Sequence, residues 1–295
     1  MPQYSVWLVR QVKAGDLHTC NLCSVNLAFT EEDEMRQTCI TAVGILDNLI
    51  DLTTTPVLEG QLHNQKYRTI GVGFMGYADY TVKKGVPYSM SAELADKLFE
   101  DLAYYCTVGS MNLAKERGTF DSYELSEYPK GILLGKDAYW FVDNTENPER
   151  WLELLKNIKQ YGIRNSQITA IAPNTSTSLL QGCTASVLPI YGKFYMDGSK
   201  ITTPIVPPFI KNNFWTYQEN KNIDQRKVID VVSNIQKWID TGISMEFVLN
   251  PNMDFVNAKY IYELFLTSWK KECKTIYYVR NIQNKTDEDY VSCSG

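Results

Sequence analysis

Two cysteines lie close together near the start of the sequence, in the stretch HTCNLCSVNL, residues 18–27. Cys20 and Cys23 have the CxxC spacing of half a zinc site or of a thioredoxin-like redox pair. A structural zinc ion usually takes four ligands, but the sequence has no second CxxC and its only histidines are His18 and His63. No short βαβ frame surrounds the pair, so a thioredoxin-like site is also disfavoured. The simpler alternative is that both cysteines are small buried residues on a strand.

A run of hydroxyl side chains follows the apolar segment QITAIA, residues 167–172, which is a predicted strand. The run is PNTSTS, residues 173–178, and it leads into a predicted helix or turn. Hydroxyls and the free N–H groups at the start of a helix bind anions, so the run predicts a phosphate site. Ordinary N-capping is the alternative, although a cap needs only one such residue. The candidate binding residues are Pro173, Asn174, Thr175, Ser176 and Thr177.

Two further candidates lie near the C-terminus. Tyr277 and Tyr278 belong to KTIYYVR, residues 274–280, where β-propensity alone explains tyrosine. Adjacent residues face opposite sides of an ideal strand, so contact between the rings would require a departure from that geometry. Residues 283–295 are polar and charged, which predicts a mobile tail. Cys293 on this tail is either an exposed thiol suited to exchange or metal binding, or an incidental cysteine.

The segment GVGFMG, residues 71–76, matches the GxGxxG pattern of dinucleotide-binding proteins. The residues before it are polar, and the region after it is predicted to be helical where a second strand with an acidic residue should lie. We therefore expect these glycines to allow close backbone packing and not to bind a nucleotide.

Composition limits the class of protein. The chain has 295 residues, of which 44% are hydrophobic and 21% charged, as expected for one or two packed domains. A net charge of −5 offers no basic surface for nucleic acid. No apolar run approaches the roughly 20 residues that span a membrane, and the N-terminus lacks the pattern of a signal peptide. The seven cysteines have irregular spacing, which indicates the reducing cytoplasm and no disulfide framework.

Predicted helices alternate with short predicted strands in much of the chain. This alternation favours an α/β fold with a parallel sheet. Besides the strands at 167–172 and 274–280, a strand is predicted at 244–250. The predicted helices cover residues 33–51, 91–117, 148–161, 223–241 and 254–272.

Seven segments together, in this order, resemble the large (alpha) subunit of class I ribonucleotide reductase. They are CNLCSVNL, YRTIGVGFMGYAD, LAKERG, YPKGIL, YGIRNSQITAIAPNTSTS, QKWIDTGIS and KTIYYVRNI. The resemblance runs from about residue 16 to the end. It implies the C-terminal half of that family's α/β barrel, with a small α/β appendage and a flexible C-terminal tail. Residues 1–15 would be unmatched, 16–282 would belong to the barrel, and 283–295 would form the tail.

The resemblance also implies roles for the candidates. Cys20 matches one of two cysteines that reduce the ribose, on a strand similar to CNLGSLN, while Cys23 stands where the family has a small residue. Residues 173–177 resemble the loop that holds the substrate phosphates. Tyr277 and Tyr278 match the stacked pair that carries a radical to the active site, and Cys293 lies on a tail like the one that re-reduces the active-site disulfide.

The family also implies partners for the chain. It would hold no metal or cofactor itself, because a metal-containing small (beta) subunit supplies the radical. A thioredoxin- or glutaredoxin-like protein is the external reductant, and a ribonucleoside diphosphate is the substrate. The products of the family's reaction are deoxyribonucleotides, which are used in DNA replication. Neither nucleic acid nor membrane is an expected partner.

Two departures from the family's pattern affect these expectations. The radical cysteine lies in a loop N-x-C-x-E; the Asn21–Cys23 stretch resembles its start, but Val25 stands where the Glu should be, and no such loop occurs in residues 1–19. Tyr290 stands where the first cysteine of the tail should be. We therefore expect a C-terminal part of a split subunit, inactive without a separate N-terminal fragment. The alternative is a non-catalytic remnant that binds phosphate or the small subunit.

Overall fold

Parallel strands form the framework of the fold in the computed structural model, which describes residues 17–195 and 204–282. β1 pairs in parallel with β2, and β3 pairs in parallel with β4. No membrane-crossing helix occurs among the described residues, because none is both long and apolar enough. The strands are β1 (Leu22–Asn26), β2 (Gly71–Met75), β3 (Glu246–Leu249) and β4 (Tyr278–Asn281).

A short segment joins the two strand pairs into one parallel arrangement. Val72 of β2 forms a parallel bridge with Thr169, and its N–H donates to the carbonyl of Ile168 at 2.8 Å. Ile171 forms a second parallel bridge, to Ile243, just before β3. The strands therefore lie side by side in chain order, with the segment QITAIA in the middle. The predicted strand there is confirmed in position but consists only of these two bridges.

Helices follow and cover the strands. The predicted helices at 33–51, 91–117 and 148–161 are confirmed to within one residue, whereas those at 223–241 and 254–272 are shorter than predicted. Within the described residues the α-helices are α1 (Glu32–Leu52), α2 (Leu58–Tyr67), α3 (Tyr77–Lys83), α4 (Ala92–Arg117), α5 (Ala138–Asn144), α6 (Pro148–Tyr161), α7 (Thr175–Gln181), α8 (Ile210–Asn213), α9 (Gln225–Gln236) and α10 (Ala258–Lys270).

The limits of α6 show why the local signals were reliable. The side chain of Asn147 caps the helix by accepting from the N–H of Arg150, and Pro148 occupies the first helical position. Gly162 ends the helix at a φ of 80°, where other residues are strained. Capping residues act within one turn, so the sequence alone predicts both ends.

The two faces of the sheet differ. Val25, Val72 and Phe74 point towards the helices and are buried in the main hydrophobic core. On the opposite face Leu22 is 45% exposed, and its neighbour across the strands is Gly71. A Cβ on Gly71 would lie 2.4 Å from Leu22 Cδ2, so this glycine permits close packing of the two strands. The packing role predicted for GVGFMG is confirmed. Its first five residues form strand β2, and Gly76 precedes α3 at a φ of 75°. One face is covered by helices, while the other is partly open.

Candidate functional site

The candidate reductant thiol of Cys20 lies on the chain just before β1 and is exposed. Its two neighbours are fixed to α2 and to β2. The hydroxyl of Thr19 donates to Asn64 Oδ1 at 2.5 Å, and Asn21 Nδ2 donates to the same oxygen at 3.2 Å. The carbonyl of Asn21 accepts from the N–H of Gly71 at 2.9 Å. An accessible thiol is therefore held on a fixed backbone.

Cys23 has a different environment. It lies on β1 opposite Val72, is partly buried, and packs against the main core. Burial, with a smaller contribution from Cys39, raises the pKa of the Cys23 thiol to about 11. Since the thiolate is the reactive form, Cys23 is inert near neutral pH. The packing interpretation is thus right for Cys23 and wrong for Cys20, which is exposed.

The hydroxyl-rich run begins a short helix. Asn174 has a φ of 56°, and α7 starts at Thr175. The side chains of residues 175–177 are exposed, while Ser178 is buried and its hydroxyl donates to the carbonyl of Thr175 at 3.0 Å. N–H groups in the first turn of a helix lack partners within the helix, so together with the hydroxyls they can receive an anion.

The contacts of Asn174 argue against the simple capping interpretation. No side chain caps α7. Asn174 Oδ1 accepts instead from the hydroxyl of Ser24 on β1 at 3.0 Å, and its Nδ2 donates to the carbonyl of Ala172. Ser24 follows Cys20 by four residues, a span of at most about 14 Å. The run is therefore tied directly to the strand that follows the exposed thiol.

The two tyrosines are in contact. Their ring centroids lie 4.2 Å apart with an interplanar angle of 56°, so the rings are tilted and not parallel. Tyr277 precedes β4, and its N–H donates to the carbonyl of Met245 at 2.7 Å. β4 begins only at Tyr278, whose ring is covered by the guanidinium of Arg280 at 4.8 Å. The predicted strand at 274–280 is wrong for its first four residues, and that irregular backbone allows adjacent rings to meet.

The structure brings some candidates together and separates others. Cys20 precedes the first strand of the sheet, β1, whereas the two tyrosines lie at the last, β4. These two strands are four strand spacings apart, which is roughly 19 Å along the sheet. Cys293 and Tyr290 lie outside the described residues. The sequence did not predict that Ser24 and Asn64 contribute to the candidate site. Ser24 lies within the cysteine motif but nothing distinguishes it there, and Asn64 lies in no recognisable motif.

Comparison with known proteins identifies the family. The profile described as "Ribonucleotide reductase, barrel domain" matches residues 9–207 and 201–279. The chain is 48% identical over 285 residues to the ribonucleoside-diphosphate reductase subunit alpha of Synechocystis sp., covering 93% of this chain and 37% of that protein. It is 32% identical over 290 residues to the subunit of the same name in Helicobacter pylori, covering 95% and 36%.

A relative in Chlamydia pneumoniae, also called ribonucleoside-diphosphate reductase subunit alpha, is 31% identical over 315 residues. That match covers 89% of this chain and 30% of the relative, so the chain spans about a third of the length of the curated relatives it matches. The profile match covers β1, β2 and β3, reaches into β4, and includes the thiol segment, the hydroxyl run and the tyrosine pair. The chain belongs to the ribonucleotide reductase family and forms part of its α/β barrel domain.

Proposed function

We propose that this chain supplies the C-terminal part of the catalytic barrel of a ribonucleoside-diphosphate reductase alpha subunit. The reaction would convert ribonucleoside diphosphates to deoxyribonucleotides. The main support is that an exposed thiol precedes the same strand, β1, that contacts the hydroxyl-rich run through Ser24. The relatives are named ribonucleoside-diphosphate reductase subunit alpha, and these names support the same reaction.

Cys20 would be one of two thiols that reduce the ribose. Loss of the 2′-hydroxyl as water takes two electrons and two protons, which two thiols provide when they become a disulfide. The partner thiol would come from the other part of the barrel. The exposure of Cys20 supports this role because exchange requires access to the sulfur. An external thioredoxin- or glutaredoxin-like protein would then restore both thiols.

The hydroxyl-rich run would bind the substrate diphosphate. Thr175, Ser176 and Thr177 are exposed, and their hydroxyls join the unpaired N–H groups of the first turn of α7. Pro173 and Asn174 lead into this turn and set its direction. Such donors suit a charged phosphate because hydrogen bonds to ionised groups are the stronger ones.

Tyr277 and Tyr278 would pass a radical from the small subunit to the active site. A tyrosine can lose a proton and an electron together, and the ring contact at 4.2 Å supports transfer between the two. The metal that generates the radical would belong to the small subunit. Tyr277 is 47% exposed, which supports access from a partner.

The N-terminal part of the barrel is the proposed partner of the open side of the sheet. Among the described residues β1 pairs with β2 alone and β4 with β3 alone, so each offers an edge to a further strand. Leu22, which is 45% exposed, lies on the partly open face. That the partner is a separately encoded fragment stays a prediction, as does the role of Cys293 in re-reduction.

Co-expression with an N-terminal fragment that carries the rest of the barrel, together with a small subunit, tests this function. We expect reduction of a nucleoside diphosphate with dithiothreitol as reductant. Cys20→Ser should abolish turnover while the complex still assembles, and Cys23→Ser is the matched control that retains it. Absence of turnover by the unaltered complex would refute the enzymatic function.

A non-catalytic role in binding phosphate or the small subunit is the second candidate. Tyr290 in place of the first tail cysteine favours it, because a single thiol cannot complete an intramolecular dithiol cycle. This candidate predicts binding of both partners without turnover under any reductant. Turnover with dithiothreitol but not with thioredoxin would instead assign the defect to the tail alone.

A further inference from the structure

A buried carboxyl group lies behind the hydroxyl-rich helix α7. Asp79, in the first turn of α3, is completely buried. Its Oδ2 accepts from the N–H of Thr184 at 2.6 Å, and its Oδ1 accepts from the hydroxyl of Tyr217 at 2.6 Å. None of the ion pairs among the described residues involves Asp79. Burying a carboxyl without a cation is costly, so packing alone does not account for this residue.

The position of Thr184 connects Asp79 to α7. The helix ends at Gln181, and Thr184 lies three residues later. The carbonyl of Thr184 accepts from the N–H of Gly76 at 2.8 Å, so its peptide groups are tied on both sides to the start of α3. The chain that leaves α7 is therefore anchored to the end of β2.

The opposite end of α7 is held separately. Ser24 donates to Asn174 just before the helix, and Asn26 Nδ2 donates to the carbonyl of Gln181 at 3.4 Å. Contacts from β1 thus reach both ends of the helix, and Asp79 adds the anchor from α3. With a helix of only seven residues, a shift of its C-terminal end changes where its first N–H groups point.

The neighbouring thiol does not explain the cluster. Cys183 lies next to Thr184 and is buried. Burial and then the nearby Asp79 raise the pKa of its thiol to about 12, so it is protonated and unreactive near neutral pH. Burial likewise raises the pKa of Asp79. The cluster therefore lacks an activated nucleophile and has the character of a structural anchor.

We propose that Asp79 is a positioning residue for substrate phosphate, acting through Thr184 to hold α7 in its binding orientation. This inference rests on the proposed function of residues 173–177 as the phosphate site. A residue that orients binding groups should affect KM more than kcat, because it contributes to binding throughout the reaction. A residue that only stabilises the fold would change the amount of active enzyme and leave KM unaltered.

The test uses the assembled complex and a ribonucleoside diphosphate, with KM and kcat measured separately. Asp79→Ala should raise KM about 10-fold or more, the effect of losing hydrogen bonds to a charged group, with kcat within about twofold. Asp79→Asn should restore KM to near the unaltered value. Its amide oxygen can accept from Thr184 N–H, and its NH₂ can donate to the Tyr217 oxygen.

Glu100→Ala is the matched control. Glu100 on α4 is a buried carboxyl that accepts from Trp151 Nε1 on α6 at 3.0 Å. Unlike Asp79, it is ion-paired, with Arg150. Its hydrogen bonds within the described part of the chain do not reach α7, so its loss should leave KM unchanged. If Asp79→Ala does not fold, Tyr217→Phe tests the same inference. This substitution removes the hydroxyl that donates to Asp79, and we expect KM to rise about threefold because one hydrogen bond is lost. An unchanged KM in the folded variants, or a failure of Asp79→Asn to restore it, would overturn the inference. Absence of turnover by the unaltered complex would instead refute the proposed function, and this inference with it.

Discussion

Cys20 and Cys23 differ in reactivity for reasons that lie in their surroundings. Both are cysteines within four residues of each other, yet one precedes β1 in an exposed segment and the other packs against the core. Burial raises the pKa of Cys23 to about 11, which leaves roughly one thiol in a thousand ionised at pH 8. The CxxC spacing therefore does not define a functional pair.

Alkylation mapped by mass spectrometry tests this difference. With iodoacetamide at pH 8, Cys20 should be modified in the folded chain while Cys23 stays unmodified. The rate at Cys23 should rise about tenfold per pH unit until the pH nears its pKa, because the thiolate is the nucleophile. Equal labelling of both cysteines at pH 8 in folded protein would contradict the assignment; urea-unfolded chain is the control for intrinsic reactivity.

The tyrosine pair makes a second prediction at the residue scale. Tyr278→Phe keeps the ring contact but removes the phenolic proton, so we expect turnover of the assembled complex to fall at least about 100-fold, the size of a lost proton-transfer step. Tyr262→Phe, on the exposed surface of α10, is the matched control and should retain turnover. Full activity of Tyr278→Phe would exclude it from a radical path.

At the scale of elements, β2 determines how the parts of the candidate site are positioned, because its glycines let the segments on both sides pack closely against it. Gly73 pairs with Ser24 on one side, and Ala170 lies on the other. Ser24 in turn contacts Asn174 before α7. The orientation of the hydroxyl-rich run thus depends on how closely three segments pack.

Substitution of Gly73 by alanine should destabilise the chain by about 1–3 kcal/mol through overpacking. The new Cβ would lie 2.5 Å from the carbonyl oxygen of Ala170 and 3.0 Å from the hydroxyl of Ser24. Gly44→Ala in α1 is the control: nothing lies within 4 Å, so helix propensity predicts a gain of up to about 1 kcal/mol. Urea unfolding measures both, and no loss at Gly73 would contradict the packing role.

At the scale of the whole molecule, the described strands form an open sheet. β1 and β4 each have one unpaired edge among the described residues, and the face that carries Leu22 is partly uncovered. Edges of this kind favour association with further strands. These unpaired edges suit the association with a further barrel segment that the proposed function requires.

Addition of an N-terminal fragment of the barrel should therefore stabilise the chain. At a fragment concentration 100 times Kd, binding adds about 2.7 kcal/mol, which raises Tm by roughly 5–10 °C. Scanning calorimetry of each part and of the mixture measures this shift. A fragment shortened to lack its own barrel strands is the control and should leave Tm unchanged; no shift with the intact fragment would argue against assembly.

The sequence by itself determined the family, the limits of three long helices and the candidate residues. Helix caps such as Asn147 and Gly162 act on residues within one turn, so the sequence alone shows where the helix begins and ends. The order of the family's segments is likewise a property of the linear sequence. Only the tertiary structure decided that Cys20 is exposed while Cys23 packs, that Ser24 holds Asn174, and that GVGFM forms a strand. The Ser24–Asn174 contact joins residues 150 positions apart, and burial depends on which strands become neighbours. Local signals cannot specify such contacts, because they arise only when distant segments pair.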